Sequence, residues 1–173
     1  MDLDSVSKIV VTLAAFIGIA LGIFNFVHNR RKQKVHLKVT PRAAHYIGNT
    51  EDGKETYLYS SNEFEREDVA DTLVVEVINL SAFPVIIGEV GLRKKWTRRR
   101  MAMPIPKLID KGEWPRKLEP RESVIAHFDL TQLLGEVNLR KARCAYAKTI
   151  CGELQTGTSK ALKDLVRLVK QAT

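Results

Sequence analysis

The densest chemistry in the chain is the run Arg93-Lys94-Lys95-Trp96-Thr97-Arg98-Arg99-Arg100, in which six of eight residues are basic and an aromatic stands among them. Cations packed this closely recognise anions. The candidates are the headgroups of anionic lipids, a nucleic-acid backbone, or an acidic protein surface. The bland alternative is a hairpin tip kept soluble by its charge. A second basic set stands near the end of the chain, where Lys160, Lys163, Arg167 and Lys170 share one face of a helical pattern. The formal net charge of +8 agrees with a chain that meets anions.

Other chemistry is sparse. Glu63, Glu65, Glu67, Asp68 and Asp71 cluster before a strand pattern, but the Asp-x-Asp-x-Asp-Gly spacing of a calcium loop is missing, and a solvated loop explains them. His28, His36, His45 and His127 are scattered, and His36 and His127 sit in strand patterns as surface or edge histidines. No Gly-rich phosphate loop, Cys-x-x-Cys pair, His-Glu-x-x-His helix or nucleophile elbow occurs in the sequence. Cys144 has no histidine at a telling spacing, and Cys144 and Cys151 are too few for a secreted disulfide scaffold. A Cys144–Cys151 bridge remains open for the topology that places the domain outside. The chain reads as a non-enzyme, with no catalytic, cofactor-binding or metal-ligating residue and no cofactor.

The elements that position the basic sets begin with an anchor. Ile9 to Val27 runs 19 residues without a charge, and His28-Asn29-Arg30-Arg31-Lys32-Gln33-Lys34 follows at once. As a helix this stretch spans roughly 28 Å, close to the ~30 Å hydrocarbon core of a bilayer. Basic residues follow the apolar stretch rather than precede it, and no Ala-x-Ala site closes it, so an uncleaved anchor is expected rather than a signal peptide. Lys and Arg are retained on the cytoplasmic side. The expected topology is therefore N-terminus out and domain in, single-pass, at the cell inner membrane. Ala14, Gly18 and Gly22 recur every four residues, the spacing of a close helix–helix seam and hence of a homodimer.

After the anchor, about 139 residues suffice for one domain with a real core. Val35, Leu37 and Val39 alternate with polar residues as a strand that Pro41 ends, and strands are expected at 56–60, 72–79 and 84–93. Residues 97–121 hold Pro104, Pro106, Pro115 and Pro120 and read as a long irregular connection, or one with a short strand near 105–109. Strand pattern resumes at 122–128, 141–149 and 153–156, with a short helix expected over 130–137 and a turn at Gly152. This is a mainly β chain, Ig-like in the broad sense of a β-sandwich, without the Cys-Trp-Cys core of antibody domains. Gly157 breaks the last strand pattern. Leu162, Leu165, Val166 and Val169 then follow the i, i+3, i+4, i+7 spacing of an amphipathic helix that Thr158 or Ser159 can cap. The expected division is 1–34 for tail, span and basic stop, 35–157 for the sandwich, and 158–173 for the helix.

The segments VEVINLSAFPVIIGEVGLR, PRKLEPRES and ARCAYAKTICGEL, following an N-terminal span with a basic stop, carry a resemblance. The chain resembles small bacterial and phage proteins with one N-terminal transmembrane helix and an Ig-like β-sandwich domain. In those, a Val-x-Val-x-Asn strand precedes a turn and a Pro-Val-x-Ile strand, and a Leu-x-Pro-Gly-Glu-Ser turn comes later. Asn79, Pro84 to Ile87, Leu118, Pro120, Glu122 and Ser123 match, while Arg121 replaces the usual Gly and puts that turn type in question. The resemblance implies a fold and a topology, and no catalytic residue.

Together these readings describe a membrane-anchored, cytoplasm-facing interaction module without catalytic activity. A membrane-tethered nucleic-acid binder is the alternative. The expected partners are the membrane with its anionic headgroups, a protein, and a second copy of the chain; nucleic acid is a weaker fourth.

Overall fold

The computed structural model describes residues 3–50, 55–62, 72–94, 100–103, 105–108, 110, 112–128 and 139–171. The expected helix over 130–137, the acidic cluster at Glu63 to Asp71, and Lys95, Trp96, Arg98 and Arg99 lie outside the described residues. The chain divides into two compact units, residues 1–34 and 35–173.

The first unit is the helix α1, Leu3–Lys32. Its segment Thr12–Arg30 is 19 residues with a mean hydropathy of 1.5, long and apolar enough to cross a membrane. Every side chain over 12–30 is exposed, including Phe16, Ile19 and Phe24. A helix that is apolar on all sides gains nothing from water and needs lipid or protein around it.

The second unit packs two antiparallel sheets against each other as a sandwich, with the C-terminal helix completing its core. The strands are β1 (Leu37–Asn49), β2 (Glu55–Ser60), β3 (Thr72–Asn79), β4 (Val85–Arg93), β5 (Arg100–Met103), β6 (Lys107–Leu108), β7 (Arg116–Leu118), β8 (Ser123–Phe128), β9 (Cys144–Thr149) and β10 (Leu154–Gly157). One sheet has the order β2-β1-β3-β8-β6 and the other β10-β9-β4-β5, with β7 also paired to β4. Alternation sets the core: Leu73, Val75 and Val77 of β3 face Val124, Ala126 and Phe128 of β8 on the inner side, and Val85, Ile87, Val90 and Leu92 of β4 meet them from the second sheet. The helix α2 (Lys160–Gln171) adds Leu162, Leu165, Val166 and Val169, so its apolar stripe belongs to the same core as the sheets.

Several expectations are corrected. Pro41 does not end β1, which continues to Asn49. Pro41 pairs with Val75 of β3, whereas β2 reaches β1 only from Ala43 onward, so the missing N–H leaves no ladder partner unsatisfied. The 97–121 segment is not irregular throughout, since it contains β5, β6 and β7; Lys107–Leu108 falls within the short strand considered there. The strand expected from 141 begins only at Cys144, and Leu139–Lys141 form a 3-10 turn before it. Gly157 does not break β10 but is its last residue, and a Cβ there would stand 1.6 Å from the Val39 carbonyl oxygen. That position is glycine because β10 passes directly against the backbone of β1. Gly152 makes the β9–β10 turn at φ +95°.

The residues that carry the resemblance are turn chemistry. Asn79 is fully buried at the end of β3. Its Nδ2 donates to the carbonyls of Phe83 (2.9 Å) and Leu118 (3.0 Å), and its Oδ1 accepts from the Ser81 N–H at 2.9 Å. Ser81 Oγ in turn accepts from the His36 N–H at 2.9 Å. One side chain thus ties the 79–85 turn to β7 and, through Ser81, to the chain entering β1. At Glu119-Pro120-Arg121-Glu122 the Glu122 N–H donates to the Glu119 carbonyl at 3.0 Å, and Arg121 has φ +69°. Pro at the second position and a left-handed residue at the third make a type II turn. Arg121 therefore adopts the backbone that the usual glycine would, and the turn is kept.

Candidate functional site

Arg93 and Arg100, at the two ends of the basic run, are register partners across β4 and β5 and form the base of that hairpin. The cations at its base are not equivalent. Arg100 is drawn back onto the sheet: its Nε lies 3.2 Å from Glu89 Oε1, and its guanidinium stands 6.0 Å from the Tyr146 ring. Tyr146 is fully buried and donates a short hydrogen bond to Glu89. Burial and the neighbouring Glu89 both raise its pKa, so it stays a neutral donor. Arg93 is half-buried and donates from Nε to the Lys94 carbonyl at 3.4 Å.

The second basic set lies on α2. Ser159 caps this helix, its Oγ accepting from the Leu162 N–H at 3.2 Å. With the apolar stripe buried, Lys160, Lys163, Arg167 and Lys170 are all exposed. Arg167 shares its charge with Asp164 at 3.7 Å. Lys163, Arg167 and Lys170 line a groove of about 310 Å³ together with Arg143 and the almost fully buried Ala142, Leu162 and Val166. Lys160 is on the helix but not on the groove.

The structure joins the two basic sets through a residue that sequence reasoning missed. The Arg143 N–H donates to the Arg93 carbonyl at 3.0 Å, so the base of the β4–β5 hairpin and the groove lining are hydrogen-bonded neighbours. In sequence Arg143 is one polar residue of a strand pattern. Only the pairing of β9 with β4 and the packing of the 3-10 turn under α2 give it a place.

A further cluster covers the outer face of the first sheet. Beyond the length paired to β3, the β1–β2 hairpin curls back over that face. The Tyr57 ring comes within 4.9 Å of the His127 ring, and Tyr59 lies at 6.3 Å. Glu55 of β2 reaches Lys107 of β6, at the opposite edge, with a 3.0 Å contact. His127 is therefore not a surface histidine: it is 6% exposed, and its Nε2 has no hydrogen-bond partner among the described residues. Burial, aided by the charge of Lys107, lowers its pKa to about 4. Burial and the hydrogen bond to Glu55 push Tyr57 up to about 12, and the hydrogen bond from Lys107 lowers Glu55. A histidine held neutral beneath two tyrosines closes a small second core; its ring is not offered to a substrate.

Trp114 packs against the main core, and its Nε1 donates to the Gly88 carbonyl at 3.3 Å. Cys144, half-buried, and Cys151, exposed, are not joined in a disulfide, and the Cys144 Sγ donates to the Arg93 carbonyl at 3.7 Å. No grouping of three or more His, Cys, Asp or Glu suited to a metal occurs among the described residues. On α1, Ala14 is exposed, and a Cβ at Gly18 or Gly22 would meet nothing within 4 Å, so that face is bare.

No protein-family model, curated protein or solved structure matches this chain.

Proposed function

We propose that this protein is a single-pass membrane anchor carrying a non-catalytic β-sandwich that captures anionic partners at the membrane surface. The observation that carries this is a pairing. An apolar helix uncovered over residues 12–30 precedes in the chain a domain with a groove lined by Arg143, Lys163, Arg167 and Lys170. In this reading the N-terminus lies outside and residues 35–173 lie in the cytosol under the cell inner membrane, because Arg30, Arg31, Lys32 and Lys34 follow the span. Anionic headgroups are then within reach of the tethered domain, and tethering raises their effective concentration. The order of span, basic stop and sandwich also groups the chain with the Ig-like bacterial and phage proteins it resembles.

The topology is tested by labelling. Cys151 is exposed, so Cys144 and Cys151 are first replaced by Ser. Single cysteines at Ser5 or Thr173 are then treated on intact cells with an impermeant reagent. Reaction at 5 and not at 173 is expected, and the reverse overturns the orientation. The anionic capture is tested with the full chain in nanodiscs, by binding to vesicles of phosphatidylglycerol or of phosphatidylcholine. Binding should require phosphatidylglycerol and weaken with salt, since the Debye length shrinks from ~10 Å at 0.1 M to ~3 Å at 1 M. Equal binding to both vesicles ends the electrostatic reading, and tighter binding to an oligonucleotide replaces lipid with nucleic acid.

A further inference from the structure

The end of the sandwich at which the chain enters β1 is a set of turns fixed to one another. Val35 already packs against the core, and α1 ends at Lys32. Only Gln33 and Lys34 lie between, so at most ~10 Å of chain separates Lys32 from Val35. The Leu80 N–H donates to the His36 carbonyl at 2.8 Å, beside the bond from the His36 N–H to Ser81 Oγ. Asn79 carries the connection on to the Leu118 carbonyl, and Leu118 is the register partner of Val85 at the start of β4. The Ile150 N–H donates to the Ile86 carbonyl at 3.0 Å. Hydrogen bonds thus tie the entry to β1, the β3–β4 turn and the β9–β10 turn into one end.

Three large aliphatic side chains stand in solvent at this end. Leu80 is 55%, Ile86 43% and Ile150 62% exposed. Ile86 points outward between the buried Val85 and Ile87. Ile150 lies over Gly88, the next outward position of β4, where a Cβ would stand 3.2 Å from Ile150 Cγ1. Among the described residues, the other exposed large apolar side chains of the sandwich are elsewhere: Tyr46, Ile47 and Leu58 on the β1–β2 hairpin at the far end of β1, and Ile105 before β6. Exposed apolar side chains gathered at one end mark a contact surface. Three of them fall far short of a free protein partner, whose stable interface buries ~1,200–2,000 Å². A surface that the chain's own tether holds within reach needs much less, because the tether supplies effective concentration. For a domain that begins ~10 Å of chain after a membrane span, that surface is the bilayer interface.

We infer that the entry end of the sandwich docks on the bilayer interface through Leu80, Ile86 and Ile150, so that apolar contact with lipid orients the tethered domain. This rests on the membrane-anchor reading proposed above and goes beyond it by naming the surface that meets lipid. From Ile86 to Arg93, β4 rises ~23 Å at about 3.3 Å per residue. With Ile86 at the bilayer, Arg93 and its partner Arg100 stand on the aqueous side, free for an anionic partner that comes from solution.

The test uses the isotope-labelled full chain in phosphatidylcholine nanodiscs that carry a nitroxide on a fraction of the headgroups. The nitroxide should broaden the amide signals of Leu80, Ile86 and Ile150 and spare those of Ile47 and Leu58. The tether by itself also keeps the entry end near lipid, so the deciding variant is Leu80→Ser with Ile86→Thr and Ile150→Thr. All three side chains are exposed, so the variant keeps the fold, and an unchanged amide spectrum of the core checks this. It should lower the docked-to-undocked ratio at least about ten-fold, read as loss of most of the broadening at the Lys117 amide beside Ile86. In the native chain the broadening should persist at ~1 M salt, because apolar contact is not screened. Equal broadening in the native chain and the triple variant overturns the docking and leaves the anchor and the anionic capture standing. So does broadening of Leu58 as strong as that of Leu80. Broadening that vanishes with salt overturns it in favour of a charged contact. Signals at these positions that follow the number of copies per disc, and not the nitroxide, give the surface to a second copy of the chain. A chain that does not enter the discs ends the anchor reading, and the docking with it.

Discussion

Lowering the pH should destabilise the domain through one residue, His127. Its ring is 6% exposed under Tyr57 and Tyr59, with the Lys107 ammonium nearby and no acceptor or donor for Nε2 among the described residues. Its pKa in the folded protein is about 4, against an ordinary value near 6.5. The folded state therefore prefers neutral imidazole more strongly than the unfolded chain does. Above about pH 6.5 both states hold the ring neutral, and the stability is present in full. Between about 6.5 and 4 the unfolded chain binds a proton that the folded domain refuses, and stability falls with pH. Below about 4 both are protonated and the loss levels off. A shift of roughly 2.5 units corresponds to about 3 kcal/mol at the plateau, and to about 2 kcal/mol already lost at pH 5. The comparison is urea denaturation of residues 35–173, which form a compact unit with their own core, for the native sequence and His127→Phe. Other groups titrate in this window but cancel in the difference between the two proteins. His127→Phe should match or exceed the native domain at pH 7.5 and lead it by about 2 kcal/mol more at pH 5. An NMR titration supplies the direct value. A His127 pKa near 6.5, together with identical acid slopes in the two proteins, would refute the burial argument and the curled hairpin on which it depends.

Three further outcomes follow from particular contacts. Asn79→Ala strips partners from the Phe83 and Leu118 carbonyls and the Ser81 N–H, and should cost about 3–5 kcal/mol in chemical denaturation; a loss under about 1 kcal/mol would mean the turns hold without it. Arg121→Gly should raise the denaturation midpoint, because relief of a left-handed residue, roughly 1–2 kcal/mol, exceeds the backbone entropy of glycine, about 0.5–1 kcal/mol. A lower midpoint would show that the Arg side chain makes a contact that matters. Gly18→Ile with Gly22→Ile should weaken self-association of the span in a membrane dimerisation assay; an unchanged signal would leave the two glycines as ordinary residues of an apolar helix.

Much of the fold was legible because its causes are local. Uncharged length made the span, and period-2 alternation made β3, β4 and β8 within a residue or so of their observed bounds. The 3.6-residue spacing of Leu162, Leu165, Val166 and Val169 placed the buried face of α2, and a serine before it supplied the cap. The cationic face of the helix followed as the complement of that stripe.

What stayed hidden depends on residues far apart in the chain. Pro41 stops a strand only where its N–H is needed, and whether β2 extends that far is a matter of pairing register. Gly157 reads as a breaker until the backbone of Val39 is known to pass against it. His127 alternates like a surface residue because period-2 patterning tells one face of a strand from the other, but not whether that outer face is covered. The curl of β1 and β2 toward β6 covers it, and that curl is a property of the whole sheet. Arg143 shows the same division. Its charge was plain in the sequence, but a groove is made by two elements meeting, and only the pairing of β9 with β4 and the packing of α2 brought Arg143 into the same groove lining as Lys163, Arg167 and Lys170.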